Sequence, residues 1–169
     1  SSQTFIDLLT IGHSWLSGRE TRADWAHVWQ DLIANATLLP SQQGLHDLFR
    51  LGCQWLIGRE ERPEWTHIWR DLLAHAINFP SRLTSMALLQ QGHQWLEGRS
   101  SRADWCLVCE TLLDHSYVET SFLDTAALHL ARTGVNEPGW LIRAAKFIAN
   151  APQHPASLKL SDELARRLI

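Results

Sequence analysis

Apolar residues recur along the chain at the spacing of amphipathic helices. In the first 40 residues one apolar set extends from Leu8 to Leu16 and a second from Trp25 to Ile33, with members three and four positions apart. This spacing is typical of α-helices that bury one face. Gly18 follows the first set, as glycine commonly follows the last turn of a helix. The pattern predicts two helices joined by a short turn.

The same pattern repeats with a period of 40 residues. Residues 11–40, 51–80 and 91–120 align without gaps, and together with the column of Leu8, just before them, nine columns hold one residue type in all three copies. A fixed period of this length is the sequence signature of a helical-repeat protein. Eight of the nine tryptophans recur at this spacing, so we expect the indole rings to form the core. The nine columns, named by their first-copy member, are Leu8, Gly12, Trp15, Leu16, Gly18, Arg19, Arg22, Trp25 and Leu32.

The predicted fold is all-α, a right-handed α-solenoid of helix-turn-helix units that forms a single domain over residues 1–169. In the fourth, degenerate unit we expect Trp140 to take the place of Trp105, after a deletion of about five residues in the loop between the two helices. Atypical terminal units are expected in such a stack, because the last face has no neighbour. The units are expected at about residues 4–40, 44–80, 84–120 and 122–151, with a closing helix at 157–169.

The recurring turn residues are expected to have structural roles. Thr21 and Asp24 have the spacing of a capping box at the start of the second helix. Gly12 and its equivalents allow two helices to approach closely. Arg19 and Arg22 flank the turn, where a guanidinium can bind carbonyls at the helix end, stack on a tryptophan or pair with Asp24. These contacts are favoured over a role in ligand binding.

Composition excludes several classes of function. The 15 Lys and Arg residues are outnumbered by 18 Asp and Glu, giving a net charge of −3, so no positive surplus is available for nucleic acid. No apolar run approaches the roughly 18 residues of a membrane-spanning helix. Three cysteines are too few for a disulfide scaffold and fit a cytoplasmic protein. Because the sequence lacks an initiating Met, we expect it to be a piece of a longer polypeptide.

No combination of residues predicts catalysis, a cofactor or a metal. Cys106 and Cys109 have the spacing of half a zinc site or a redox pair. However, Cys109 lies in a column that holds tryptophan in the other copies, so an apolar role is favoured. His13, Cys53 and His93 share a column, but neighbouring units of a helical stack lie about 10 Å apart, too far for one metal ion. Hydrolase, metalloprotease and phosphate-binding motifs are missing, so we predict a non-catalytic protein.

The run from Leu51-Gly52-Cys53-Gln54-Trp55 to Pro80 resembles the tetratricopeptide and related α-solenoid repeats. The resemblance covers residues 4 to 150 and implies a groove that binds peptides or protein surfaces. The unit departs from this family in its length of 40 residues, against about 34. It also has Trp65 and Trp69 where the family often has small residues or Phe.

The run Gly-x-x-Trp-Leu-x-Gly-Arg-Glu, followed by the tryptophans of the second helix, resembles a further group of Trp-rich repeats. Those repeats occur at the C-terminal ends of large bacterial multidomain proteins, including signal-transducing ATPases and protease- or nuclease-linked defence proteins. This resemblance implies a sensor or recruitment arm attached to an effector elsewhere in the polypeptide.

Candidate binding residues are first-helix positions whose identity changes between copies while the framework stays constant. The predicted partner is a protein or peptide, which includes another domain of the same polypeptide. Ordinary solvated surface remains an alternative for each residue, and a structural oligomerisation or spacer element remains an alternative for the whole chain. The candidates are His13, Ser14, Ser17, Arg50, Gln54, Ile57, Gln90, His93, Gln94 and Glu97.

Overall fold

The computed structural model of the chain describes residues 2–36, 42–76 and 82–167. All regular secondary structure in these ranges is helical, which confirms the all-α prediction. The nine α-helices described are α1 (Ser2–Leu16), α2 (Trp25–Asn35), α3 (Gln42–Leu56), α4 (Trp65–Ala76), α5 (Arg82–Leu96), α6 (Trp105–Asp114), α7 (Thr120–Thr133), α8 (Trp140–Asn150) and α9 (Pro155–Arg167).

The chain divides into two compact units, Ser1–Leu88 and Leu89–Ile169, with the boundary inside α5. In the first unit α1 packs on α2, α3 packs on α4, and α2 also contacts both α3 and α4. In the second unit α6, α7 and α8 pack on one another and α8 packs on α9. Within each unit, therefore, helices pack on neighbours in the sequence. None of the described helices is long and apolar enough to cross a membrane.

Tryptophan side chains form the centre of the packing, as predicted. Eight of the nine are at most 3% exposed, and only Trp15 is half-buried. In the first unit the Trp25 ring stacks on Trp29, with centroids 6.4 Å apart, and on Trp55, with centroids 5.4 Å apart. Nearly parallel stacking at these distances adds to the free energy gained from burying the rings.

A hydrogen bond links the second helix of each copy to the first. The indole N–H of the first tryptophan in the second helix donates to a leucine carbonyl in the preceding helix. This bond satisfies the buried indole N–H, and in the three copies the leucine carbonyl also accepts the arginine N–H of the following turn. Trp140 makes the same bond, so it takes the predicted place of Trp105. The pairs are Trp25 with Leu16 at 3.0 Å, Trp65 with Leu56 at 3.1 Å, Trp105 with Leu96 at 3.2 Å and Trp140 with Leu130 at 2.9 Å.

The predicted deletion in the turn before Trp140 is wrong. The indole donor and its acceptor leucine are nine positions apart in the three copies and ten positions apart for Trp140 and Leu130. The connection between the two helices falls only from eight residues, 17–24, to six, 134–139, so a deletion of about five residues does not lie in this turn. Instead the helix before the acceptor leucine is shorter. Ten residues of α7 precede Leu130, whereas 14 residues precede the acceptor leucine in α1, α3 and α5, which each have 15 residues and end at that leucine. The missing residues precede Leu130.

The connection between α1 and α2 is a series of turns in which an N–H donates to the carbonyl three residues earlier. The N–H of Arg19 donates to Leu16, that of Arg22 to Arg19 and that of Trp25 to Arg22. The same series recurs from Leu56 to Trp65 and from Leu96 to Trp105. Gly18, Gly58 and Gly98 have φ angles of 74°, 72° and 70°, which L-residues rarely adopt, so the predicted glycine turn is confirmed.

The predicted capping box is wrong. Asp24 precedes α2 in a helical conformation and its side chain caps no N–H group. Its carboxylate accepts two hydrogen bonds from Arg22 instead, at 2.9 and 3.0 Å. The guanidinium offers this carboxylate two parallel charge-assisted hydrogen bonds, against one from a backbone N–H group at a cap.

Candidate interaction surface

In each copy the two recurring arginines contact the tryptophan of the first helix. In the first copy Arg19 Nη1 donates to the carbonyl of Trp15 at 2.9 Å. Both guanidiniums, of Arg19 and Arg22, lie within 5.6 Å of the Trp15 ring centroid. Cations near an aromatic face are stabilised by the ring electrons. The contacts predicted for these arginines are confirmed.

The same contact recurs in the second and third copies. Arg59 and Arg99 each donate to the tryptophan carbonyl at 3.0 Å, and the guanidinium-to-ring distances range from 5.1 to 6.0 Å. Arg62 and Arg102 pair with Glu64 and Asp104 at 3.2 and 3.0 Å. These residues therefore build the framework of the turn.

A glutamate completes the turn in two of the copies. The Glu20 carboxylate accepts the Gly18 N–H at 3.0 Å, and Glu60 accepts the Gly58 N–H at 3.1 Å. Hydrogen bonds from the backbone N–H groups of Glu20 and Gly18 lower the pKa of the Glu20 carboxyl. The third copy has Ser100 at this position, so the carboxylate is dispensable for the turn.

Eight of the ten predicted binding residues have exposed side chains, and His13 is half-buried. They are spaced three and four positions apart on their helices, which places those of one helix on one face. We call this set of exposed side chains the first-helix row. Its members are Ser14 on α1 and Ser17 directly after it; Arg50 and Gln54 on α3 and Ile57 directly after it; and Gln90 and Gln94 on α5 and Glu97 directly after it.

The row differs in chemistry from helix to helix. The α3 part combines a cation, an amide and the exposed side chain of Ile57, with Arg50 held only loosely by Asp47 at 3.7 Å. An exposed ion pair of this kind contributes little to stability, so Arg50 is available to a partner. The α5 part offers two amides and a carboxylate, and the α1 part offers two hydroxyls. Each helix therefore presents its own set of donors and acceptors.

His93 is the one predicted binding residue that is buried. Its ring contacts Tyr117 and Phe122, with centroids 5.8 and 5.7 Å apart, and its Nδ1 lies 3.5 Å from a Glu119 carboxylate oxygen. The Tyr117 hydroxyl donates to the same carboxylate, which lowers the pKa of Glu119. The 40-residue spacing places Tyr117 in a column with Thr37 and Ile77, and Glu119 in a column with Leu39 and Phe79, so the other copies do not predict this cluster.

A second buried histidine was not singled out from the sequence. His129, on α7, is 1% exposed, packs against Trp105 and places Nε2 3.6 Å from a Glu110 oxygen. Glu110 also pairs with Arg143 at 3.2 Å. Burial, followed by the charge of Arg143, lowers the pKa of His129 to about 4. The imidazole is therefore neutral at pH 7.

Burial of His129 is expected to make the protein less stable in acid. The unfolded chain binds a proton near pH 6.5 and the folded chain only near pH 4, so stability falls as the pH drops below 6.5. Between pH 7 and 5.5 the loss from this group is about 1 kcal/mol. Urea unfolding at both pH values measures it in the parent chain and in His129→Phe, which cannot titrate. An equal pH dependence in the two proteins would contradict the assignment.

The cysteines differ in exposure. Cys109 is fully buried and Cys106 is exposed, although Ala26 and Thr66 in the column of Cys106 are buried. Nothing in the structure explains this difference. Burial raises the pKa of Cys109, and it raises the pKa of Cys53 to about 11. Such thiols are poorly reactive at neutral pH. In the part of the chain that the structure describes, no three His, Cys, Asp or Glu residues are grouped as a metal would require.

Comparison with known proteins identifies no relative of the chain: no family model, curated protein or solved structure matches it.

Proposed function

We propose that this chain is a non-catalytic protein-interaction module that binds a partner protein or peptide along the first-helix row. The proposed architecture is a tetratricopeptide-like, right-handed α-solenoid in which the first helices line the binding groove. One observation carries the proposal. Residues constant between the copies, with the exception of Leu8, are engaged in internal contacts, whereas the exposed positions of the row vary between copies.

The contacts of the framework support this division of roles. Constant residues such as Trp25 and Arg19 bind carbonyls inside their own copy, and Gly52 lies directly against the Trp29 ring. A framework satisfied internally keeps its shape whichever side chains occupy the row. Variation on a constant scaffold is how repeat proteins obtain different binding surfaces from one fold.

The chemistry of the row suits an extended peptide. The Gln54 amide in the first unit can donate and accept hydrogen bonds, which matches the alternating groups of a peptide main chain, and the Gln90 and Gln94 amides can do the same in the second unit. Arg50 adds a donor for carbonyl or carboxylate groups, and Ile57 adds an exposed apolar contact. We therefore expect peptides with acidic and apolar residues to bind best.

The proposed module works without chemistry of its own. The buried histidines His93 and His129 lie beside Glu119 and Glu110, at 3.5 and 3.6 Å, inside packed parts of the fold. The resemblance to Trp-rich repeats of bacterial signalling and defence proteins supports a sensor arm in a larger cytoplasmic protein. Within such a protein the partner includes another domain of the same polypeptide.

Selection of binding peptides tests the proposal. A phage-displayed random peptide library is selected on the immobilised chain, and the selected peptides are titrated by fluorescence anisotropy. We expect the double variant Arg50→Glu with Gln54→Ala to weaken binding about tenfold or more. The control is Arg70→Glu, which makes the same charge change at an exposed site on α4. Its affinity should stay within about twofold of the parent's.

Two outcomes count against the interaction module. One is a set of peptides whose binding survives the α3 double variant but is abolished by Arg70→Glu. The other is reversible association of the chain with itself in light scattering as its concentration rises. That result would favour an oligomerisation or spacer element.

A further inference from the structure

Helix α3 has a binding position, which we call the α3 seat, for Trp29 of the preceding helix pair. The Trp29 indole N–H donates to the Leu48 carbonyl at 2.7 Å. The same ring lies against Gly52, where an added Cβ atom would be 2.4 Å from Trp29 Cζ2. Only glycine leaves room for this ring, so Leu48 and Gly52 together receive one indole.

Trp55 completes the contact from the side of α3. Its indole N–H donates to the Glu20 carbonyl, in the turn of the preceding pair, at 3.1 Å. Its ring stacks on Trp25 at 5.4 Å. The α3 seat therefore has three parts, which are the Leu48 carbonyl, the open side of Gly52 and the Trp55 indole.

Helix α1 carries the same three parts in Leu8, Gly12 and Trp15, but in the described ranges no residue of another helix pair occupies this seat. Leu8 is 61% exposed, whereas Leu48, its equivalent on α3, is 1% exposed. The Trp15 ring is half-buried, and its indole N–H has no hydrogen-bond partner in the described ranges. The close neighbours of Gly12 are atoms of Leu32, in its own helix pair. Ile11, 65% exposed, extends the apolar face.

We propose that the α1 seat binds a further helix pair of this same repeat, which precedes α1 in the polypeptide. The occupant would bring a tryptophan equivalent to Trp29 and a turn carbonyl equivalent to that of Glu20. The indole would donate to the Leu8 carbonyl and lie on Gly12, and Trp15 would donate to the turn. This inference concerns the outer face of α1 and is independent of the partner proposed for the first-helix row.

A second copy of this chain does not fit the seat. The required indole belongs to the column of Trp29, and both Trp29 and Trp69 are already fully buried in their own contacts. The third copy has Cys109 in this column. In the last pair Ala144 stands at the corresponding distance from Trp140. The column of Trp29 therefore has no free indole to offer to the α1 seat of another copy, and Trp15 belongs to the seat itself.

Adding a helix pair in register tests the proposal. A duplicate of residues 41–80 is fused directly before Ser1 of the full chain, which keeps the 40-residue period. Hydrogen exchange of the α1 amides, read by mass spectrometry, is expected to slow about tenfold relative to the unfused chain. Exchange at the rate of the unfused chain would overturn the proposal.

Two variants of the fusion identify the contact. Trp69→Ala in the added copy removes the inserted indole and should return α1 to its unfused exchange rate. Leu8→Glu leaves the added copy intact but places a charge in the seat, and it should have the same effect. The matched control is Leu128→Glu, at another exposed helical leucine on α7, which should keep the protection.

Light scattering of the unfused chain tests whether a second copy of the chain binds the α1 seat instead. We expect no dimer that depends on the α1 seat. A dimer that forms with rising concentration and is lost in Leu8→Glu would assign the seat to a second copy and overturn the proposal.

Discussion

Replacing Trp65 by alanine is expected to lower the free energy of unfolding by about 3–5 kcal/mol. The side chain is fully buried, so the substitution leaves a cavity the size of an indole ring. The Leu56 carbonyl loses the hydrogen bond that it accepts from the Trp65 indole N–H at 3.1 Å. The stack on Trp69, with centroids 6.0 Å apart, is lost as well.

Urea unfolding followed by circular dichroism at 222 nm measures this loss without depending on tryptophan fluorescence. The control is Trp15→Ala, which removes the same number of atoms from a half-buried ring with no indole hydrogen bond in the described ranges. Its cost should be less than half that of Trp65→Ala. Equal losses in the two variants would show that the buried ladder does not support the fold.

The helices and the tryptophan core could be predicted because the period supplies the same pattern three times. A single apolar run leaves helix ends uncertain, but Gly18, Gly58 and Gly98 mark one turn in three sequences. The positive φ angles at all three confirm that interpretation. Tryptophans that recur in one column also indicate a core, because each ring loses a large free energy of burial when it is exposed to solvent.

The parts that the sequence did not predict depend on competition between side chains. Asp24 has the right spacing for a cap, but Arg22 offers it two charge-assisted hydrogen bonds. Which bond forms depends on local geometry and not on spacing alone. His93 shows the same limit, because Glu119 and Tyr117 reach it from a connection that differs from those of the other copies.

The candidate surface was accessible to sequence reasoning only in part. Periodicity separates the exposed face of a helix from its buried face, and it placed Arg50, Gln54 and Ile57 on the exposed side. Periodicity does not show which positions of a helix are covered by a neighbouring helix pair. That is why Leu8, in a column otherwise buried, is exposed on α1.

Replacing Gly52 by alanine is expected to lower the free energy of unfolding by about 2 kcal/mol. Alanine in a helix interior would normally stabilise it by about 1 kcal/mol relative to glycine. Here the new methyl group would lie 2.4 Å from Cζ2 and 2.8 Å from Cε2 of the Trp29 ring. This rigid ring is held by its hydrogen bond to the Leu48 carbonyl, so it cannot move away without breaking that bond.

Gly12→Ala is the matched substitution, because the same residue type stands in the same column of α1. Its methyl group would meet Leu32 Cδ2 at 2.8 Å. This atom is the end of a flexible side chain that can rotate aside, so the helix propensity of alanine should leave Gly12→Ala neutral or slightly more stable. Urea unfolding midpoints of the two variants should therefore shift differently, with a clear decrease only for Gly52→Ala. A decrease of the same size for Gly12→Ala would contradict the seating of Trp29 on Gly52 as the cause.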